Sequence, residues 1–166
     1  MQYEGYIIDL DGTTYRGNEI IEGAKEFIDY LLKENKPYLF LTNNSTYTQE
    51  AVVKKLKKLG IETTVNHVMT SSVATANYIE RQNDHARCYM IGEEGLFDAL
   101  TQKKFTLTDK NCHYVIVGLD RDITYAKLAR ATTLIREGAT FIATNTDAAI
   151  PTEKGLQPGN GAIVSA

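Results

Sequence analysis

Short apolar runs of strand length alternate along the chain with segments whose apolar residues recur at helical spacing. This alternation constrains the fold most, because a helix between two strands allows them to pair in parallel. It predicts an α/β protein with helices on both faces of a parallel sheet. The predicted strands are residues 6–10, 38–41, 65–69, 88–91, 114–118 and 141–144, and the predicted helices are residues 22–35, 49–59, 73–81, 94–102 and 125–137.

A polar interval, R-Q-N-D-H at residues 81–85, separates two groups of these elements. We interpret it as a linker or hinge, which predicts one α/β domain in residues 1–80 and a second, smaller one in residues 81–166. The Gly- and Pro-rich segment P-T-E-K-G-L-Q-P-G-N-G-A near the end is expected to form a loop.

Composition limits the kinds of molecule that the chain could bind and the compartment in which it could occur. The net charge is −3, from 18 basic and 21 acidic residues without a long basic stripe, so nucleic-acid binding has no electrostatic support. Two cysteines, Cys88 and Cys112, lack the spacing of a metal site and favour a reducing cytoplasm. We expect neither a signal peptide nor a membrane span, because no apolar stretch approaches about 18 residues.

Two acids separated by one residue, Asp9 and Asp11, follow the first predicted strand in the sequence I-I-D-L-D-G-T-T. Alternate residues of a strand point to one face, so these carboxylates would repel each other unless the chain turns or a cation intervenes. Gly12 permits the turn, and Mg²⁺ could bind an Asp9 oxygen and a backbone carbonyl. Asp9 could then attack phosphorus while Asp11 acts as general acid and base. The alternative is a pair of exposed acids in an ordinary turn.

A second polar loop, T-N-N-S-T, follows the second predicted strand. Because ligands bind at the carboxyl ends of parallel strands, we expect this loop to face the acid pair across a crevice. Thr42, Asn43 and Asn44 would donate hydrogen bonds to a phosphoryl group. Ser45 or Thr46 would cap the next helix, and capping alone is the alternative for the whole loop.

The motifs D-L-D-G-T and L-T-N-N-S resemble the first two motifs of the haloacid dehalogenase (HAD) superfamily. The chain is similar along essentially its whole length to the NagD-like, p-nitrophenylphosphatase-type branch, including T-S-S-V-A-T-A-N-Y-I, Y-V-I-V-G-L-D-R-D-I-T-Y-A-K-L, F-I-A-T-N-T-D and P-G-N-G-A. The resemblance implies a Rossmann-like HAD core, of which residues 1–80 are the N-terminal part, and an inserted C2-type α/β cap in residues 81–166.

The resemblance also implies a hydrolase that cleaves small phosphate monoesters with Mg²⁺ through an aspartyl-phosphate intermediate. By motif position, Asp9 is the nucleophile and a metal ligand, and Asp11 is the general acid/base and a metal ligand through its backbone carbonyl. Thr42, Asn43 and Asn44 hold the phosphate. The partner is a small phosphorylated metabolite, and the exposed cap surface is a candidate contact for a homodimer.

Two motifs of the superfamily are absent from these 166 residues. Its members continue beyond the cap with G-K-P, whose lysine binds phosphate, and with G-D-x-x-x-T-D, whose acid completes the magnesium site. We therefore interpret the chain as the N-terminal two thirds of a longer enzyme, without the C-terminal part of the core. The absent segment would supply the last core strands, beside the first strand.

Two other functions are alternatives to phosphatase activity. A non-catalytic folding or binding unit is one alternative, because the absent lysine and acid should weaken metal and phosphate binding. A receiver-type phosphoacceptor domain is the other, and we reject it because its third strand would end in an acid, whereas this chain reads V-M-T-S-S.

Further polar residues have both a functional and a structural interpretation. Asn145 and Asp147, in the N-T-D sequence, could contact the leaving group of a substrate or form an Asx turn. Asp120 and Asp122 are interpreted as capping residues before a helix, whose N-cap is expected to be Asp122 or Thr124. The three histidines lack ligand spacing and are expected to be surface or packed residues, and both cysteines to be small buried side chains.

Overall fold

The computed structural model describes residues 3–152 and 155–166. They divide into two compact units, each with its own parallel sheet. The first unit contains the residues up to Thr42 together with Gln49–Thr70, and the second contains Asn43–Thr48 and Ser71–Ala166. The predicted α/β class with parallel sheets is therefore confirmed.

The first unit is built on three parallel strands and two helices. Its strands are β1 (Tyr6–Asp9), β2 (Tyr15–Arg16), β3 (Glu19–Ile20), β4 (Tyr38–Thr42) and β5 (Val68–Thr70), and its helices are α1 (Ala24–Lys33) and α2 (Gln49–Lys58). β4 lies between β1 and β5, while β2 and β3 form a small antiparallel hairpin. The strand predicted at residues 65–69 begins only at Val68, because Val65–His67 form a 3-10 turn closed by a hydrogen bond from His67 N to Thr64 O.

Helices α1 and α2 cover one face of this sheet. Each helix buries apolar residues at helical spacing, Ile28 and Leu31 in α1 and Val52 and Leu56 in α2. They pack in one cluster with Phe40 of the central strand β4, which is fully buried. Burial of this stripe, rather than helix propensity, stabilises helices as short as these.

The other face of the sheet carries exposed apolar side chains. Ile7 of β1 is 73% exposed and Leu41 of β4 is 41% exposed. Their chain neighbours Ile8 and Phe40 lie on the opposite face and contribute to the core. β1 also lies at the edge of the described sheet. This is where we expect the last strands of the core, and that expectation stays a prediction.

The second unit contains a four-stranded parallel sheet in the order β7, β6, β8, β9. Its strands are β6 (Arg87–Ile91), β7 (Thr106–Leu107), β8 (Tyr114–Val117), β9 (Thr140–Ala143), β10 (Ala149–Thr152) and β11 (Gly155–Pro158), and its helices are α3 (Ser71–Gln82), α4 (Glu94–Gln102), α5 (Tyr125–Arg136) and α6 (Asn160–Val164). No helix in the described parts of the chain is long and apolar enough to cross a membrane.

Apolar clusters lie on both faces of the four-stranded sheet. On one face, Ile79 of α3 and Leu96 and Leu100 of α4 pack in a cluster that includes Ile116 of β8. The other face carries a second cluster, formed by side chains of β6, β8, α5 and α6 and of the turn before β9. Its members include Ile91, Val115, Val117, Ala131, Leu134, Ala139 and the partly buried Ile163 and Val164. Adjacent residues of β8 therefore serve opposite faces, as the period of a strand requires.

The last part of the chain forms two strands and a helix instead of the predicted loop. β10 and β11 pair as an antiparallel hairpin, with Ile150 opposite Gln157, and α6 follows. The prediction of a loop was wrong here because Pro151 lies inside β10, and proline usually indicates the absence of a strand. Residues 153 and 154 of this segment lie outside the described residues.

The polar interval at residues 81–85 lies inside the second unit. α3 ends at Gln82, β6 begins at Arg87, and both elements belong to that unit. The side chain of Asn83 accepts a hydrogen bond from His85 N at 3.1 Å and thereby folds the intervening turn. The division into domains at residues 1–80 and 81–166 stays a prediction.

A buried acid shapes the turn between β8 and α5. Asp120, only 4% exposed, accepts hydrogen bonds from Asp122 N at 2.9 Å and from Lys127 Nζ at 2.6 Å. The cap of α5 is instead Thr124, whose hydroxyl accepts a hydrogen bond from Lys127 N at 3.3 Å. The prediction that Asp120 and Asp122 cap this helix was therefore wrong, whereas that for Thr124 is confirmed.

Lys127→Met should lower the free energy of unfolding by about 2 kcal/mol, because the buried Asp120 would lose this cation. The Lys127 side chain is 39% exposed, so water screens the pair and limits the effect. Urea unfolding measures the change. The control is Lys110→Met, which removes an exposed lysine of the same unit and should cost less than about 0.5 kcal/mol. Equal stability of the two variants would contradict the role of the pair.

Candidate active site

The acid pair lies where β1 leaves the sheet of the first unit. Asp9 is the last residue of β1, and both Asp9 and Asp11 are exposed, whereas Leu10 between them is fully buried. Gly12, at a φ of 86°, turns the chain. The turn is closed by hydrogen bonds to Leu10 O from Thr14 N at 2.8 Å and from two neighbouring amides. The two carboxylates are thus held in a short, well-bonded turn.

Two threonines of the turn contact Asp9. Thr13 Oγ1 donates to the Asp9 carboxylate at 3.4 Å, and Thr14 Oγ1 donates to the Asp9 backbone carbonyl at 2.7 Å. Thr14 is 1% exposed, so this second bond anchors the end of β1 from the protein interior. The Asp9 carboxylate remains accessible to a ligand.

Several neighbours act on the Asp11 carboxyl group. Partial burial raises its pKa, Lys55 opposes this change, Asp9 raises the pKa further, and a hydrogen bond with Tyr15 lowers it, with a net upward shift. Lys55 Nζ also lies 3.7 Å from the centroid of the Tyr15 ring, a cation-π contact. Sequence reasoning missed the proximity of Lys55 to the acid pair.

Thr42 lies at the same edge of the sheet as Asp9. It is the last residue of β4, is 3% exposed, and pairs with Thr70 of β5. β1 and β4 pair in parallel with Asp9 opposite Leu41, so the two strands end side by side. The structure therefore brings together Asp9, Asp11 and Thr42 at the carboxyl ends of neighbouring parallel strands, where α/β proteins bind ligands.

The other predicted site residues lie in the second unit. The side-chain amide of Asn43 donates to the Asp147 carboxylate, and Asn145 Nδ2 donates to Asn43 O at 3.0 Å. Asp147 N also donates to Asn145 Oδ1 at 3.1 Å, which is the predicted Asx turn. Asn43, Asn145 and Asp147 thus form one hydrogen-bonded group, although about 100 residues separate the two segments.

The side chain of Asn44 closes the turn that follows β4. Its Oδ1 accepts hydrogen bonds from Thr46 N at 2.8 Å, Thr46 Oγ1 at 3.0 Å and Tyr47 N at 3.2 Å. Ser45 is buried and serves the second unit, where its hydroxyl accepts from Leu119 N at 3.2 Å. The prediction that Ser45 or Thr46 caps this helix was wrong, because α2 begins only at Gln49. Phosphate binding by Asn44 stays a prediction.

His67, His113 and Cys88 contact other parts of the protein. His67 stacks on Tyr38 with ring centroids 4.4 Å apart, and His113 Nδ1 accepts a hydrogen bond from Arg87 N at 3.1 Å. Burial, with a smaller contribution from Cys112, raises the pKa of Cys88 to about 12, so its thiol is unreactive. His85 is exposed, so the three histidines and Cys88 match the predictions, whereas Cys112 is only partly buried.

Comparison with known proteins identifies the family. A family model described as haloacid dehalogenase-like hydrolase matches residues 6–106. An acid sugar phosphatase from Staphylococcus aureus is 52% identical over 165 residues, which are 99% of this chain and 64% of that protein. The crystal structure of a double mutant thermostable NPPase from Geobacillus stearothermophilus has 52% identity and a TM-score of 0.93 over 98% of this chain and 64% of that one.

A putative p-nitrophenyl phosphatase from Bacillus subtilis is similar to the same degree, with 49% identity and a TM-score of 0.93 over 99% of this chain and 64% of that one. The chain thus spans 64% of the length of these relatives. The family model covers well over half of the chain, including the ends of β1 and β4. The resemblance to HAD phosphatases is confirmed, and the chain belongs to the haloacid dehalogenase-like hydrolase family.

Proposed function

We propose that the complete protein hydrolyses small phosphate monoesters, with Asp9 as the nucleophile and Asp11 as the general acid and base. The observation that carries this proposal is the placement of Asp9, Asp11 and Thr42 at the ends of two paired parallel strands. Membership of the family and the phosphatase names of the relatives support the reaction class.

The proposed reaction has two steps. First, an Asp9 carboxylate oxygen bonds to phosphorus while the bond to the leaving oxygen breaks, and Asp11 gives its proton to that oxygen. Then a water oxygen attacks the phosphorus of the aspartyl phosphate, Asp11 takes the proton of the water, and the bond from phosphorus to Asp9 breaks. Thr42 and Asn43 donate hydrogen bonds to the phosphoryl oxygens. Asn44 holds their loop in shape by accepting hydrogen bonds from Thr46 N and Tyr47 N.

Mg²⁺ is the cofactor we propose, because the end of β1 offers the hard oxygen donors that this ion prefers. The carboxylate of Asp9 and the backbone carbonyl of Asp11 would hold it, and the ion would offset the negative charge of the reacting groups. In residues 3–152 and 155–166, no three His, Cys, Asp or Glu side chains lie close enough together to hold a metal. Water molecules or oxygen atoms of other residues would occupy the remaining positions around the ion.

A non-catalytic binding unit is the second candidate function. The incomplete set of metal ligands among the described residues favours it for this part of the chain taken alone. An activity assay of the protein from the complete reading frame distinguishes the two functions, because an enzyme turns over its substrate, whereas a binding unit only binds it.

The proposal also includes a substrate class, a cellular location and an oligomeric state. Sugar phosphates are the first substrates to test, because curated relatives are named acid sugar phosphatases. A cytoplasmic location is supported by the two free thiols, Cys88 and Cys112. Homodimerisation through the predicted cap stays a prediction.

Removal of Mg²⁺ should abolish activity. The protein from the complete reading frame should release phosphate from p-nitrophenyl phosphate with Mg²⁺, and excess EDTA should reduce turnover by at least about 100-fold. Added Mg²⁺ should restore it. The matched control is Ca²⁺ at the same concentration, which is larger and should restore little activity. Absence of turnover on p-nitrophenyl phosphate and on a panel of sugar phosphates would overturn the proposed function.

A further inference from the structure

The backbone and side chain of Asn43 are both fixed by other parts of the second unit. Asn43 O accepts two hydrogen bonds, from Ser71 Oγ at 2.8 Å and from Asn145 Nδ2 at 3.0 Å. The side-chain amide donates to the Asp147 carboxylate. A side-chain amide has two N–H groups, so this bond leaves one N–H for a ligand.

The loop of residues 144–148 that makes these contacts is itself held from the protein interior. Asn160, 1% exposed, donates from Nδ2 to Asn145 O at 2.7 Å and to Val117 O at 3.0 Å. Gly161 N donates to Asp147 O at 2.9 Å. A Cβ atom at Gly161 would clash with the carbonyl group of Thr146, which explains the glycine. Asn160 and Gly161 of the segment P-G-N-G-A therefore hold this loop in place, and Asn160 does so from a buried position.

We propose that Asn145 and Asp147 are positioning residues for Asn43, which orient its free amide N–H towards the phosphoryl group. This inference rests on the proposed function. The carboxylate of Asp147 fixes the rotamer of the Asn43 side chain, and Asn145 fixes the backbone. A donor that is already oriented does not lose conformational freedom when the transition state forms, so its hydrogen bond is worth more.

Charge argues against direct contact of Asp147 with the phosphate. The substrate carries negative charge on its phosphoryl oxygens, and a second carboxylate beside them would repel it. The same carboxylate is a good acceptor for an amide N–H. Asp147 therefore suits the role of a residue that acts through Asn43 better than that of a substrate ligand.

A double-mutant cycle tests this arrangement in the protein from the complete reading frame. We expect Asp147→Ala to lower kcat/KM about tenfold and Asn43→Ala about 100-fold, mainly through kcat. The double variant should be no worse than Asn43→Ala, because Asp147 then has nothing left to position. Asp147→Asn keeps a side-chain oxygen as acceptor and should restore activity to within about threefold of wild type. Multiplied effects of about 1,000-fold in the double variant would overturn the proposal.

The NMR signal of the Asn43 side-chain amide provides a readout that does not depend on activity. In the wild-type protein this NH₂ group should be rigid, with well-separated proton shifts, and Asp147→Ala should make it mobile. Asp84→Ala, an exposed acid in the turn after α3, is the control and should leave the signal unchanged. An unchanged Asn43 signal in Asp147→Ala overturns the positioning role. A wild-type protein without turnover but with the NMR change overturns only the proposed function.

Discussion

Asp9→Asn should lower kcat for p-nitrophenyl phosphate by at least about 10³-fold, in the protein from the complete reading frame. A neutral amide is a very poor nucleophile, so the aspartyl phosphate cannot form. The change is nearly isosteric, and Asp9 is exposed, so the fold should tolerate it. Thr13 Oγ1 can still donate to the remaining side-chain oxygen. Steady-state release of p-nitrophenol measures the loss, and thermal unfolding checks that the variant is folded.

Two further variants accompany this experiment, one as a control and one as a test of the general acid. Asp84→Asn makes the same chemical change at an exposed acid outside the candidate site and should retain full activity. Asp11→Asn should slow the reaction most with a poor leaving group, because p-nitrophenolate leaves without a proton and an alkyl alcohol does not. A sugar phosphate should therefore be affected more strongly than p-nitrophenyl phosphate. Residual turnover above about a tenth of wild type in Asp9→Asn would exclude Asp9 as the nucleophile.

Much of the fold could be predicted because local patterns agreed with the final packing. The predicted helix at residues 94–102 coincides with α4, whose buried residues Leu96 and Leu100 are four apart on one face. The predicted helix at residues 125–137 differs from α5 only at its last residue. Strands β10 and β11 could not be predicted, because their pairing depends on a partner strand rather than on a local pattern.

The candidate site likewise contains some residues that could be located from sequence and others that could not. Asp9, Asp11 and Thr42 could be located from sequence, because each follows or ends a strong apolar strand. The bond between Asn145 and Asn43 could not, since it joins residues 102 positions apart that have no shared motif. The same holds for Lys55, whose effect on Asp11 depends on how α2 packs on the sheet. Only a three-dimensional structure brings such pairs together.

Gly95→Ala should destabilise the second unit by about 3 kcal/mol and lower its melting temperature by roughly 10 °C. Gly95 lies in the first turn of α4, where its N–H donates to Thr46 O at 3.0 Å. A Cβ atom there would lie 2.6 Å from the Tyr47 carbonyl carbon and 2.8 Å from Ser45 O. These are backbone atoms, so no rotation of a side chain relieves the clash. Helix propensity favours alanine by only about 1 kcal/mol and cannot offset it.

The clash also bears on function, because residues 45–47 follow directly on Asn43 in the same segment of the second unit. Moving α4 away from this segment should displace the loop that we propose binds phosphate, so activity should fall even below the melting temperature. Gly5→Ala is the control, since its Cβ would lie 3.4 Å from Pro37 O and needs no unusual backbone angle. It should change stability by less than about 1 kcal/mol. If Gly95→Ala were as stable as Gly5→Ala, close packing of α4 on this loop would be excluded.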